Sequence, residues 1–291
     1  MCRLYGFHAN EPTRLECSLV HAQNALMAQS AGDSEGLSHG HGWGVAEYPD
    51  GQPVVEKQTW AAYHGEHFKK AAARLYGRSA IAHVRLATVG PPGLENTHPF
   101  VFGKWLFAHN GTIPAFEHVR KRLLPALDGL HRNEIRGQTD SEHIFRYLLT
   151  LWGRHPERPL IEILREGTEQ LLTWTSEFAP VEKAGLNLLW TNGEEMAGSH
   201  LNRTLWYLER EGLMHCDICG QTHVHHNPKQ AYRAAEIASE PITGEAWRHM
   251  PNGTVFTVDP DFKLRIEPMG PLGLTAAGAS GAGLPEAGDS D

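Results

Sequence analysis

Strand-like and helix-like segments occur in blocks along this chain, and their order constrains the fold more than any other feature. Alternating or β-branched runs predict strands at residues 44–48, 54–60, 80–86, 105–108, 187–190, 204–208, 231–238, 254–258 and 263–266. Apolar residues at helical spacing predict helices at 15–28, 113–127, 160–178 and from Thr139, where Glu142 can complete a capping box. Because strands and helices do not alternate regularly, the order predicts a layered α+β domain.

One change in composition divides the 291 residues. Residues 1–270 carry the mixed elements, whereas 271–291 are rich in Gly, Ala and Ser and are expected to form a disordered tail. The formal charge of −8 and the lack of a long basic run argue against nucleic-acid binding. The sequence has no apolar stretch of the roughly 18 residues that span a membrane and no signal-peptide core. We therefore expect a cytoplasmic protein.

Cys2 follows the initiator methionine, and a small residue at this position normally permits removal of Met1. The mature chain would then begin with a thiol beside a free α-amine, whose unperturbed pKa is about 8. The thiolate is the nucleophilic form of cysteine, and the amine can act as its general base. A cysteine at position 2 also occurs by chance, so the interpretation depends on the other motifs.

Three short motifs stand out beside Cys2, and each carries charged or polar side chains. Residues 83–90 contain Arg85, and residues 108–111 read as a strand that ends in an Asn-Gly turn. Residues 138–142, Gln-Thr-Asp-Ser-Glu, mark a helix start. Taken singly, each motif has an ordinary structural explanation: a surface arginine, a hairpin turn or a helix cap.

Together with Cys2, and in this order, the motifs resemble those of the class II glutamine amidotransferases. The opening Met-Cys-Arg-Leu-Tyr-Gly and the segments at 42–44, 95–100 and 239–244 add to the likeness, which covers residues 1–268. The family consists of N-terminal-nucleophile hydrolases, so the resemblance implies a four-layer αββα sandwich. The chain is most similar to the small standalone branch, which lacks a fused acceptor-using domain.

The resemblance implies a catalytic role for three residues. Cys2 would attack the side-chain amide of glutamine or another γ-glutamyl compound and form a thioester. The Asn110 side chain and the backbone N–H of Gly111 would form the oxyanion hole, which stabilises the charge of the tetrahedral intermediate. No cofactor is implied for this chemistry. The released ammonia would be lost or passed to a partner enzyme.

The resemblance also implies a binding role for four residues. Arg85 would hold the substrate α-carboxylate in a bidentate pair, and Asp140 would receive the α-ammonium. Thr88 and His98 would shape the pocket. In some fused members the segment after the matching arginine reads Trp-Ala-Thr-His-Gly, whereas residues 86–90 here read Leu-Ala-Thr-Val-Gly. The loop over the substrate is therefore expected to close differently, which leaves the choice among γ-glutamyl compounds open.

A possible metal site lies at residues 215–226, which read His-Cys-Asp-Ile-Cys-Gly-Gln-Thr-His-Val-His-His. The two cysteines have the C-x2-C spacing of a metal knuckle, and a closed four-ligand zinc site would be structural. The candidate ligands are Cys216, Cys219, His223 and either His225 or His226. Alternatively, this is a polar loop with two free thiols, since the chain has 19 histidines. Cys17 lies in a predicted helix and is expected in the core.

Two classes of function remain open from the sequence. The first is an enzyme that hydrolyses a γ-glutamyl amide. The second is a non-catalytic metal-binding or scaffold protein that retains the fold. Retention of Met1 would block the amine of Cys2 and favour the second class.

Overall fold

Two antiparallel sheets form the centre of the computed structural model, which describes residues 2–212, 215–224, 227 and 229–278. The strands are β1 (Arg3–Arg14), β2 (Trp43–Glu47), β3 (Val54–Gln58), β4 (Tyr76–Val84), β5 (Phe100–Phe102), β6 (Trp105–Thr112), β7 (Gly185–Thr191), β8 (Met196–His200), β9 (Trp206–Glu211), β10 (Arg233–Ala238), β11 (Arg248–His249), β12 (Thr254–Val258) and β13 (Leu264–Pro268). One sheet has the order β11-β9-β10-β1-β4-β2-β3, and the other has the order β13-β12-β8-β7-β6-β5.

Helices cover the outer face of each sheet. They are α1 (Leu26–Ala31), α2 (His67–Arg74), α3 (Phe116–Ala126), α4 (Gly129–Asn133), α5 (Asp140–Arg154), α6 (Leu160–Phe178) and α7 (Pro271–Ala276). A π-helix at Cys17–His21 and a 3-10 turn at Leu94–Asn96 complete the elements. In the part of the chain that the structure describes, every helix is too short or too polar to cross a bilayer.

Side-chain alternation along the strands produces the four layers. On β1, Leu4 belongs to the core between the sheets, whereas Tyr5 and Phe7 pack in the core under α1 and α2. On β6, Ala108 faces the inter-sheet core, whereas Phe107 stacks on Phe145 of α5. Because successive strand residues point to opposite faces, each central strand has an apolar side chain for two cores. The predicted αββα sandwich is therefore confirmed.

The first strand differs most from the sequence prediction. The register pairs β1 with β4 and with β10, so it is a central strand that the sequence analysis did not predict. The helix predicted at 15–28 is wrong as one element. The chain forms the π-helix Cys17–His21, becomes extended at Ala22 and Ala25, and then enters α1. Strand β1 was not predicted because Asn10, Glu11 and Pro12 interrupt the apolar alternation that is typical of a strand.

Other elements follow their predictions closely. Residues predicted as a helix at 160–178 form α6 with those bounds. Thr139 caps α5 by accepting a hydrogen bond from the Glu142 backbone N–H at 3.2 Å. The Glu142 carboxylate accepts from the backbone N–H groups of Arg136 and Gly137, so the reciprocal half of the capping box is replaced. Helix α7 lies within the stretch predicted as a tail, and the boundary at 270 stays a prediction.

Candidate active site

Cys2 immediately precedes β1 and lies beside the end of β4. The antiparallel register pairs Arg3 with Val84, which brings Cys2 to the segment that follows β4. Its Sγ lies 3.4 Å from the backbone oxygen and 3.4 Å from the backbone nitrogen of Leu86. Sheet pairing therefore fixes the position of the thiol across a long separation in sequence.

A buried ionic network holds the backbone of Cys2. The Arg3 guanidinium donates to the Cys2 carbonyl at 3.1 Å. It also forms ion pairs with Asp33 at 2.6 Å and with Glu240 at 2.9 Å. His39 approaches the same Asp33 carboxylate at 2.9 Å. Because removal of one partner would leave a buried charge unpaired, this network fixes the entry into β1 strongly.

Charges from two candidate substrate-binding residues act on the thiol. Burial raises the pKa of the Cys2 thiol above its ordinary value, and the negative charge of Asp140 acts in the same direction. A hydrogen bond with the Leu86 backbone and the positive charge of Arg85 lower that pKa and partly offset the effect. Arg85 and Asp140 therefore act on the pKa of the thiol in opposite directions.

Asn110 is buried and is connected to the start of β1 through Ser239. Its Nδ2 donates to Ser239 Oγ at 3.3 Å, and the same Oγ accepts from the Leu4 backbone N–H at 3.0 Å. Among the described residues, Asn110 Oδ1 has no hydrogen-bond partner. The Asn-Gly turn expected here is wrong, because β6 runs through this pair and Asn110 lies opposite Asn187 on β7.

Gly111 occupies a position that admits no side chain. A Cβ on this residue would lie 1.9 Å from the Gly185 oxygen and 2.5 Å from His109 Nε2. These contacts are far below van der Waals distance and involve backbone, so the neighbours cannot simply rotate away. Glycine is therefore required at position 111 because the neighbouring strand packs closely there, beside Asn110.

Arg85 lies at the end of β4 and holds the turn that follows it. Its NH2 donates to the carbonyl oxygens of Val89 at 2.9 Å and Gly90 at 3.1 Å, and its NH1 donates to Pro91 at 3.1 Å. The guanidinium is buried, with 3% of the residue exposed. Three of the five N–H donors of an arginine are thus directed at this turn.

Asp140 is the first residue of α5, and its carboxylate is held by backbone donors. Oδ2 accepts from the Ile113 N–H at 2.9 Å, and Oδ1 accepts from the Ser141 N–H at 2.8 Å. A carboxylate at a helix N-terminus is also stabilised by the helix dipole. The segment after β6 and the start of α5 are thereby joined through this side chain.

The two remaining candidates lie in different surroundings. Thr88 is exposed, and its Oγ1 lies 3.2 Å from the Thr112 hydroxyl, next to Gly111. His98 is buried, with its ring 4.2 Å from that of His83 and 4.7 Å from that of Phe100. Burial holds the pKa of His98 well below its ordinary value, and the charge of His83 adds to this effect. Within the described part of the chain, neither His98 ring nitrogen has a hydrogen-bond partner.

Three contributors to the site were missed by the sequence analysis. Arg3 and Ser239 were quoted only as parts of matching segments, yet they position Cys2 and Asn110. The ring Nδ1 of His41 accepts a hydrogen bond from the Ala87 backbone N–H at 3.0 Å. The backbone N–H of His41 donates to the Arg85 carbonyl at 3.0 Å. These bonds flank Leu86 on both sides. Sequence spacing carries no signal for such contacts, because they join segments that meet only in the folded sheet.

A second group of side chains converges near the other end of β1. Ligand atoms of Cys17, Cys216, Cys219 and His223 all lie within 4.8 Å of one another. Three of the four predicted metal ligands are thus brought together, and the fourth, His226, lies outside the described residues. Cys17 is buried, as expected of a core residue, and its sulfur also belongs to this cluster.

Comparisons with known proteins identify a family for this sequence. The sequence model of the family described as glutamine amidotransferases class-II matches residues 1–262. A probable glutamine amidotransferase of Saccharomyces cerevisiae is 27% identical over 296 residues, which cover 89% of this chain and 82% of the relative. A gamma-glutamyl-hercynylcysteine sulfoxide hydrolase of Mycobacterium tuberculosis is 35% identical over 79 residues, which cover 27% of this chain and 34% of the relative.

The fold also matches solved structures. The crystal structure of a predicted glutamine amidotransferase from Pseudomonas aeruginosa superposes with a TM-score of 0.58 at 24% identity. The match covers 88% of this chain and 96% of that one. At this identity the likeness supports the fold alone.

Proposed function

The chain belongs to the class II glutamine amidotransferases, and from this premise we propose that it hydrolyses a γ-glutamyl amide through a thioester on Cys2. Removal of Met1 would free the α-amine that serves as the general base. The proposal includes no cofactor for this reaction. The protein would act in the cytoplasm on a small molecule and release ammonia or an amine.

One observation carries the proposal: the Cys2 Sγ lies 3.4 Å from the backbone of Leu86, the residue that follows Arg85. The Asp140 carboxylate accepts from the Ile113 N–H at 2.9 Å and thus lies beside the segment that follows Gly111. A zwitterionic α-amino acid carries the two complementary charges. If its carboxylate meets Arg85 and its ammonium meets Asp140, the side chain extends toward the sulfur. The Asn110 amide, which is connected to the start of β1 through Ser239, would then lie beside the reacting carbonyl.

The chemistry proceeds in two balanced steps. The Cys2 thiol gives its proton to the α-amine, and the sulfur forms a bond to the amide carbon while the C=O π-electrons move onto oxygen. Asn110 Nδ2 and the Gly111 N–H would donate to that oxyanion. The C–N bond then breaks, the amine passes its proton to the leaving nitrogen, and a γ-glutamyl thioester remains. Water attacks the thioester, and the amine takes one proton from this water and returns it to the departing thiolate. The γ-carboxylic acid is released and ionises to the carboxylate in solution.

Substrate binding requires a change around Arg85. The guanidinium is buried and directs three N–H donors at the carbonyls of residues 89–91. A substrate carboxylate would meet the two remaining donors, or it would displace one of these carbonyls. Since only 3% of Arg85 is exposed, either route requires the segment that follows Leu86 to move. The matched pair of charges at Arg85 and Asp140 would then be satisfied by the substrate.

A substrate panel on the purified chain tests the proposal. Glutamate release would be measured from glutamine, γ-glutamyl-cysteine and glutathione, and the name of the mycobacterial relative makes larger γ-glutamyl conjugates worth including. Intact mass would report loss of Met1 and single labelling of Cys2 by a diazo-ketone analogue of glutamine. Cys2→Ala should keep the fold and lose turnover.

Other outcomes of the substrate panel would contradict or change the proposal. Release from none of these compounds, with Met1 retained, would contradict the enzymatic proposal and favour a non-catalytic binding or scaffold protein. Turnover of a conjugate but not of glutamine would keep the chemistry and change the substrate. An ammonia-accepting partner enzyme would be indicated if glutaminase activity rises when that enzyme is present.

A further inference from the structure

Three thiols and one imidazole converge far from the candidate nucleophile. Cys17 lies in the π-helix after β1, whereas Cys216, Cys219 and His223 lie in the segment between β9 and β10. Cys2 and this group are at opposite ends of β1. Cys2 directly precedes the 12-residue strand β1, whereas Cys17 lies in the segment that follows it. The group therefore has no direct part in amide chemistry at Cys2.

The distances suit a tetrahedral metal site. All four ligand atoms lie within 4.8 Å of one another, and Cys219 Sγ lies 3.3 Å from His223 Nε2. With Zn–S near 2.3 Å and Zn–N near 2.0 Å, a tetrahedral site has ligand-to-ligand edges of about 3.6–3.8 Å. Closure around a zinc ion thus needs movements of only about an ångström, which side-chain rotation can supply.

The backbone already holds the ligand-bearing segments together. Gly220 N–H donates to the Cys216 carbonyl at 2.8 Å, which turns the chain between the two cysteines. Arg14 N–H donates to the His223 carbonyl at 2.9 Å, and Thr13 forms an isolated bridge with Val224. The four ligands are therefore brought together by main-chain bonds that do not depend on a metal.

We propose that Cys17, Cys216, Cys219 and His223 bind one Zn²⁺ in a closed, structural Cys3His site. Three thiolates and one neutral imidazole fill the four positions of a tetrahedral ion, so no position is left for water. The ion ties the β9–β10 connection to the π-helix that follows β1. Cys17, which is buried, replaces the histidine at position 226 that the spacing alone suggested.

Metal content of the full chain, purified under reducing conditions, tests the site directly. We expect about one zinc per chain in the unaltered protein. Cys17→Ser and Cys216→Ser should weaken zinc binding more than about 100-fold, since loss of even an outer-shell partner weakens metal sites 10–100-fold. Cys2→Ser is the matched thiol control, and His226→Ala is the matched imidazole control. Both should keep the full zinc content.

A second measurement covers the case in which a ligand variant fails to fold. X-ray absorption at the zinc edge of the unaltered protein should give three sulfur neighbours and one nitrogen neighbour. A chelator should lower its Tm, and added Zn²⁺ should restore it. The proposal is overturned if the reduced protein takes up no zinc, if intact mass reveals a disulfide between two of these cysteines, or if Cys17→Ser folds and keeps its zinc. None of these results bears on glutamate release, so this site and the Cys2 chemistry can fail separately.

Discussion

Replacement of Asn110 by alanine should lower kcat strongly while leaving the free energy of unfolding almost unchanged. Its amide Nδ2 makes one 3.3 Å hydrogen bond, to Ser239, and its Oδ1 has no partner among the described residues. Truncation therefore removes one weak hydrogen bond, at about 1 kcal/mol, and also removes an unsatisfied buried oxygen. Loss of an oxyanion donor costs about 2.7–4 kcal/mol in the transition state, so kcat should fall about 10²–10³-fold.

Asn187 provides a matched control, because it is buried directly opposite Asn110 on the neighbouring strand. Its Nδ2 donates to the Thr204 carbonyl at 3.0 Å, and its Oδ1 accepts from the Leu201 N–H at 3.0 Å. Asn187→Ala leaves both backbone groups unpaired, at about 1–3 kcal/mol each. At roughly 2–4 °C per kcal/mol, Tm should fall on the order of 10 °C.

The assay measures kcat for glutamate release and Tm by differential scanning calorimetry on both variants. The two variants should differ in opposite ways: Asn110→Ala should lower kcat with little change in Tm, and Asn187→Ala should lower Tm. The role of Asn110 as an oxyanion donor is refuted if Asn110→Ala keeps kcat within about threefold of the unaltered protein, because loss of one donor should cost far more. It also fails if both variants lose kcat in proportion to their loss of stability.

Three further results are expected. Arg85→Lys should raise KM about tenfold or more with a smaller change in kcat, because lysine lacks the planar fork; an unchanged KM in steady-state kinetics would contradict the clamp. Gly111→Ala should fail to fold or lose more than 3 kcal/mol by denaturant titration, on the order of other severe core clashes, because its Cβ would lie 1.9 Å from the Gly185 oxygen. Burial lowers the pKa of His83 to about 3 and that of His8 to about 4, below the unfolded value of about 6.5. Each contributes full stability above pH 6.5, and each should lose about 1.4 kcal/mol per pH unit as the pH falls below that value; a Tm that stays constant from pH 6.5 to 4.5 would exclude this.

The sequence predicted correctly those elements whose interactions join residues only a few positions apart. Helix α6 has the predicted bounds because its apolar residues repeat at helical spacing over 19 residues. The Thr139 cap was also predictable, since it joins residues three apart. In contrast, β1 was missed because its polar residues find partners on other segments. Asn10 and Glu11, for example, bond to the segment around residues 227–233.

The candidate metal cluster illustrates the limit of spacing arguments. The C-x2-C pair identified Cys216 and Cys219, because two ligands on one short turn leave a signature in sequence. Cys17 has no such signature. It joins the cluster only because β1 and the β9–β10 connection meet through the Arg14 and His223 backbone bond.

The sequence by itself determined the chemical groups and the family: a cysteine at position 2, an arginine after a strand, an Asn-Gly pair and an aspartate at a helix start. These signals survive because each lies within a few residues of one local element. Tertiary structure alone decided that Arg3 holds the Cys2 carbonyl, that Ser239 connects Asn110 to β1, and that Cys17 faces the other thiols. Those contacts join residues far apart in the chain. Their geometry follows from strand register and side-chain packing, which no single segment encodes.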